Sequence, residues 1–196
     1  MSKTRSSAGG GKLRVIAGRL RGSRIGVPDR PGLRPTPDRI RETLFNWLAP
    51  YLDGARCLDL YAGSGLLGIE ALSRGAAECV FVERDRALAS LLQENLARLR
   101  VNGARVVTGA ALDYLAARPA TRFDIAFVDP PFEAGAWAAA LASLEDAGWL
   151  APGALIHVEA PDDAAFAVPA AWQLHREGRA GAVRHLLYRA AADPLS

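Results

Sequence analysis

The sequence is short of metal and redox chemistry. Its 196 residues include two cysteines, three histidines and one methionine. Cys57 and Cys79 form no C-x-x-C pair, which excludes a disulfide framework and a cysteine-built zinc site. Each falls in an expected buried strand, where a thiol packs as a small hydrophobe. His157, His175 and His185 stand at no ligand spacing and read as surface or strand histidines, so no metal is expected. Long apolar runs are also missing: none nears the ~20 residues that cross a bilayer. The opening MSKTRSSAGGGKLR is polar and basic, without the apolar stretch of a secretory signal. A cytoplasmic chain is the expectation. Acidic residues are scarce at one end. Residues 1–50 hold eleven Lys or Arg against three acids, and the remainder thirteen against eighteen. A basic arm on a mildly acidic domain points to a polyanionic partner, with nucleic acid the first candidate.

Apolar residues are plentiful, at 50% of the chain, enough for the core of a single α/β domain. Residues 1–12 read as a disordered basic tail. Residues 13–37 read as a basic hairpin and a proline-rich connector. In that stretch Leu13-Val15-Ala17 pairs with Arg24–Val27 across Gly18–Gly22, and Arg14, Arg19, Arg21 and Arg24 line the hairpin. Residues 38–192 form the main domain. Thr36 is a helix N-cap and Pro37 a first helical residue. The helix that follows carries Ile40, Leu44 and Leu48 on one face, with Arg41, Glu42, Phe45 and Asn46 off that stripe, available to a cofactor.

The main domain is organised around CLDLYAGSGLLGIEALSRGAAECVFVERD, residues 57–85. An apolar run leads into a small-residue turn at 62–65, a helical pattern ending at Gly75, and a second apolar run ending in Glu83. This is a strand–loop–helix–strand unit of a nucleotide-binding sheet. Glycine lets backbone approach a ligand closely, and the helix start offers N–H groups. Glu83, about 20 residues past the loop, is placed to accept both ribose hydroxyls of an adenosine. Asp59, four residues before Gly63, could hold a cationic amino group. Gly63-x-Gly65-x-x-Gly68 also fits a dinucleotide site. Beyond it come a helix over about 85–99, strands at 104–108 and 123–128, a helix over 135–147, and a fifth strand at 154–158 entered through a turn at Pro152-Gly153. Two last strands, around 171–177 and 182–189, form a hairpin. The alternation predicts an α/β, doubly wound, mostly parallel sheet.

The fourth strand ends in Asp129-Pro130-Pro131-Phe132. Together with D-x-x-x-G-x-G this resembles class I S-adenosylmethionine-dependent methyltransferases that act on exocyclic amines. RVIAGRLRG, LRPTPDRIRETLFNWL, LDLYAGSGLLGIEALSRGA and FVDPPF occur in order, and the chain from about Arg14 to Arg189 resembles the bacterial RsmD family of 16S rRNA (guanine-N2)-methyltransferases. The resemblance implies a seven-stranded Rossmann-like sheet with its last strand antiparallel, and S-adenosylmethionine as donor, leaving as S-adenosylhomocysteine. It implies 16S rRNA as partner, expected within the 30S subunit or a late assembly intermediate; a monomer without metal is the default expectation. The implied cofactor contacts are Thr36, Asp59, Tyr61, Ala62, Gly63, Ser64, Gly65, Glu83, Arg84, Ala111 and Asp129. The implied catalytic loop is Asp129, Pro130, Pro131 and Phe132, with Phe132 stacking on the target base. From their charge, Arg14, Arg19, Arg21, Arg24 and Arg34 are the expected RNA contacts. Ala110 stands where such enzymes carry Asp or Asn for the adenine amino group, which leaves Asp113 or a backbone group for that contact. The competing readings are a DNA adenine-N6 or cytosine-N4 methyltransferase, an NAD-dependent oxidoreductase and a non-catalytic RNA-binding assembly factor.

Overall fold

A computed structural model describes residues 11–28, 38–131 and 135–192. Thr36, Arg34 and Phe132 lie outside the described residues, as do the connector from 29 to 37 and most of the expected tail. The first strand, β1 (Gly11–Arg14), begins two residues inside that tail and pairs antiparallel with β2 (Arg24–Val27), setting Arg14 opposite Arg24.

The main sheet contains β3 (Arg56–Asp59), β4 (Glu78–Glu83), β5 (Ala104–Thr108), β6 (Phe123–Val128), β7 (Leu150–Pro161), β8 (Gln173–Ala180) and β9 (Val183–Arg189). Its order is β5-β4-β3-β6-β7-β9-β8. The first five strands run parallel, and β9 is antiparallel to both β7 and β8. Strand order reverses between β3 and β6, and ligands of open α/β sheets bind outside the carboxyl ends of strands at such a point. β7 is longer than expected: Pro152-Gly153, read as a turn, lies within the strand.

Side chains alternate across the sheet with the period of two that a strand imposes. Cys57, Cys79, Phe81, Ile125, Phe127, Leu155 and Leu187 face one core, while Leu58, Val80, Val82, Ala126, Val128, Ile156 and Val158 face the other. The first core is covered by α1 (Asp38–Leu48), α2 (Leu66–Ser73) and α3 (Arg86–Arg98), and the second by α4 (Ala111–Leu115) and α5 (Trp137–Asp146). Because both faces are covered, β3, β4 and β6 read as nearly unbroken apolar runs. The edge strand β8 is mostly exposed and carries Gln173, His175, Arg176, Glu177 and Arg179, a composition that discourages edge pairing.

The basic hairpin is not an arm. Val15, Leu20, Ile25 and Val27 are buried, and the first three join the first core. Its backbone is tied to α2. Ile16 N–H and Ala17 N–H donate to Glu70 at 2.8 and 3.0 Å, Leu20 N–H donates to Ser73 Oγ at 2.9 Å, and Arg19 N–H to the Ser73 carbonyl at 2.7 Å. Asn95 on α3 holds Gly26 at both its N–H and its carbonyl. Arg41 and Phe45, expected off the apolar stripe of α1, are instead fully buried. Arg41 donates to the Arg14 carbonyl at 3.0 Å and to Asp38 at 2.6 Å, and lies 3.5 Å from Glu70. Phe45 packs on Phe127 under the Arg74 guanidinium. Glu42 and Asn46 remain exposed.

Gly18 (φ 78°) and Gly22 (φ 81°) share a left-handed backbone but not a setting. A Cβ on Gly18 would overlap the Ser73 carbonyl, whereas one on Gly22 would meet open space. Gly18→Ala is expected to cost at least about 2 kcal/mol and Gly22→Ala about 1 kcal/mol, measured by urea denaturation.

Candidate active site

Four carboxylates collect at the carboxyl ends of the parallel strands around the reversal point. Asp59 closes β3, Glu83 closes β4, Asp129 follows β6 by one residue, and Glu159 lies on β7 just past the Val128–Val158 pair. Each strand is locked to its neighbours by register, so the four acids hold fixed relative positions. Cross-strand backbone bonds continue past the ladders: Leu60 N–H donates to the Phe127 carbonyl, Ala62 N–H to Val82, and Gly109 N–H to Glu83.

The loop after β3 is built for close approach. Gly65, the N-cap of α2, has φ 73°, and a Cβ there would run into Leu92. A Cβ on Gly68 would strike Phe81 and Cys79, so that glycine sets how close α2 lies to β4. No side chain of its N-cap closes α2; Asp59 takes the Gly68 N–H, and the first two N–H groups of the helix face the loop. The Glu83 carboxylate accepts from Gly63 N–H at 2.8 Å through one oxygen and from Asp85 N–H at 2.7 Å through the other. Both bonds pin the carboxylate, whose remaining lone pairs are placed for a pair of hydroxyls. Asp85 in turn caps α3 through Ala87 and Leu88 N–H.

Asp59 is 4% exposed and accepts one hydrogen bond, from Gly68 N–H at 3.1 Å. Burial, partly offset by that bond and reinforced by Glu83, pushes its pKa up to about 7. Such a group favours a cation beside it. Burial, Glu159 and Asp59 together hold Asp129 well above the usual carboxylate range. Glu159 is buried, and its Oε2 lies 3.6 Å from His185 Nδ1. His185 stacks on His157, with Nδ1 to Nε2 at 3.4 Å. Burial lowers the pKa of His157 to about 3 and that of His185 to about 4, so both rings are neutral near pH 7. Pro130 is buried and Pro131 exposed.

The expected contacts divide. Asp59, Tyr61, Ala62, Gly63, Ser64, Gly65, Glu83 and Asp129 gather at the strand ends. Tyr61 Oη is buried and bonds to none of the described residues. Arg84 is exposed. Ala111 is buried in the first turn of α4, whose N-cap Ala110 supplies no side-chain bond. Asp113 is exposed, and the uncapped first turn leaves backbone N–H groups for an adenine. Arg14, Arg19, Arg21 and Arg24 are all exposed. Glu159 and its histidines were missed as site members. The signal was an acid directly after an apolar strand, the pattern that marks Glu83 as well. A buried anion for a cation, a pinned carboxylate for a ribose and an open glycine turn between them fit S-adenosylmethionine. Among the described residues no group of acids, cysteines and histidines could hold a metal, and no helix is long and apolar enough to cross a membrane.

The family described as Conserved hypothetical protein 95 matches residues 13–189. Ribosomal RNA small subunit methyltransferase D of Escherichia coli K12 is 51% identical over 192 residues, covering 97% of this chain and 96% of that protein. The protein of that name from Haemophilus influenzae is 42% identical over 193 residues, covering 96% and 100%. The solved structure of yhhF from Escherichia coli superposes with a TM-score of 0.85 at 51% identity, covering 93% of this chain and all of that one.

The raised proton affinity of Asp59 gives a pH signature. Its contribution to holding a cation is present when the carboxyl is ionised, above about pH 7, and is lost as pH falls. Calorimetric affinity for S-adenosylmethionine should drop by up to about tenfold per unit below that point. In Asp59→Asn the drop should vanish and affinity should be low throughout.

Proposed function

This chain belongs to the family described as Conserved hypothetical protein 95, and from that membership we propose that it is an S-adenosylmethionine-dependent methyltransferase of small-subunit ribosomal RNA. The acceptor is the exocyclic N2 amine of a guanine in 16S rRNA. The observation that carries the reading is the Asp129-Pro130-Pro131 loop at the sheet's reversal point, one strand from Asp59. The near-full-length identity to proteins named rRNA methyltransferases supports it.

S-adenosylmethionine supplies an electrophilic methyl group with its own leaving group, so the chain's task is to position and activate the acceptor. The N2 lone pair of guanine is delocalised into the ring and is a weak nucleophile. Asp129 and the Pro130 carbonyl accept its two hydrogens, turn the lone pair toward the methyl group and stabilise the positive charge that develops. Consecutive prolines fix the carbonyl's aim. Asp59 holds the donor's cationic end and Glu83 its ribose. Phe132 stacks on the extruded base.

Arg14, Arg19, Arg21 and Arg24 contact the phosphate backbone from the hairpin rim, joined by Arg34. The substrate is rRNA within the 30S subunit or a late assembly intermediate. The enzyme acts as a monomer in the cytoplasm and uses no metal.

Asp129→Asn should lower single-turnover methylation of unmethylated 30S subunits by about a hundredfold to a thousandfold, with S-adenosylhomocysteine affinity changed less than severalfold. Normal turnover would remove Asp129 from the mechanism. Deleting the hairpin would remove Val15, Leu20 and Ile25 from the first core and strip Glu70 and Ser73 of their hairpin partners, confounding a binding test, so the arginines are tested in place. Changing Arg14, Arg19, Arg21 and Arg24 together to Ala should weaken RNA binding and reduce its log–log salt slope by about 3, with cofactor affinity and melting temperature retained. An unchanged slope would exclude the rim.

A further inference from the structure

Asp129 is not alone at the acceptor position. Asp129 and Glu159 each follow directly on the Val128–Val158 pair, the last of the parallel β6–β7 ladder, so two carboxylates stand at neighbouring strand ends. Glu159 is also fixed from the antiparallel side. It pairs in register with His185 on β9, and His185 Nδ1 lies between Glu159 Oε2, at 3.6 Å, and His157 Nε2, at 3.4 Å. The ring of Trp47 on α1 lies over Gly178 of β8, the ladder partner of His185. From the rest of this face come Asp59 on β3, Glu83 on β4, and Arg189 on β9, which stacks on Tyr51 at 5.1 Å.

Resting on the function proposed above, we propose that Glu159, oriented by His185, is a positioning residue that acts through Asp129. Its negative charge makes Asp129 the group that takes the proton released by the acceptor amine. As the N–C bond forms and the C–S bonding pair leaves with sulfur, one N–H proton passes to the Asp129 carboxylate. A lone exposed carboxylate is too weak a base for this. A second carboxylate held beside it raises its proton affinity toward neutrality, where a general base is most useful.

The histidine pair suits this role because it is neutral. Both rings are buried, and burial lowers both pKa values far below 7. A histidinium at His185 would cancel the charge of Glu159. A neutral ring orients the carboxylate with a dipole and leaves its field on Asp129 intact. Burial raises the proton affinity of Asp129 first, and Glu159 is the largest charge that adds to it.

The test is a carboxyl carbon NMR titration of the intact protein, with the Asp129 signal assigned by its loss in Asp129→Asn. It is run on wild type, Glu159→Gln and Glu159→Asp, alongside the pH dependence of single-turnover methylation. In Glu159→Gln the Asp129 midpoint should fall by about one pH unit or more. The acid limb of the rate profile should move down with it. Glu159→Asp, which keeps the charge, should restore both toward wild type. An unmoved midpoint in Glu159→Gln overturns the proposal, as does a moved midpoint with an unmoved acid limb. If wild-type protein methylates no RNA, the substrate reading falls, and the titration midpoint still decides whether Glu159 acts on Asp129.

Discussion

A single buried carboxylate determines how the molecule is joined. Glu70 is fully buried on α2 and is met from three sides: two backbone N–H groups of the hairpin, the Arg74 guanidinium one turn along at 2.8 Å, and Arg41 from α1. Taking a carboxylate and a guanidinium out of water costs several kcal/mol per ion unless partners offset it. Here the partners come from separate stretches of chain, so Glu70 is not satisfied until all of them are assembled. The hairpin, α1 and α2 thereby form one unit against the first core, to which the hairpin adds Val15, Leu20 and Ile25.

That anchoring reaches the site because α2 serves both. Its second half carries Glu70 and Ser73, which hold the hairpin. Its first half carries the glycine loop, whose Gly63 N–H meets Glu83, and Gly68, whose N–H meets Asp59. A helix pinned at both ends cannot slide along the sheet, and the distance between the β3 and β4 carboxylates follows from it. The acids themselves are costly where they stand. Burial and mutual repulsion raise the proton affinity of Asp59 and Asp129, so the site is electrostatically frustrated without a cation. A sulfonium donor with an ammonium group relieves that frustration.

Much of this was legible in the sequence, for physical reasons. Strand–loop–helix–strand units impose periodicities of two and 3.6, and both are visible over residues 57–83. The order of alternating elements then determines the parallel sheet, and the register brings Asp59, Glu83 and Asp129 to one edge. What escaped notice depended on partners far away in the chain. Arg41 reads as helix surface because a stripe of Ile40, Leu44 and Leu48 says nothing of a carboxylate 29 residues later. The hairpin reads as an arm because its arginines are conspicuous, whereas Val15, Leu20 and Ile25 reveal their burial only against α2. Pro152-Gly153 reads as a turn, yet the pairing of β7 absorbs it. Glu159 gains its meaning from His185, on a strand that reaches it only through the β8–β9 hairpin.

The shared core under the hairpin has an evolutionary consequence. A recognition element joined by a linker can be exchanged as a cassette, leaving the catalytic sheet intact. This hairpin cannot, because replacing it would strand the charges of α1 and α2. Divergence of what the hairpin touches is confined to the side chains on its rim, one substitution at a time, while its backbone is inherited with the sheet.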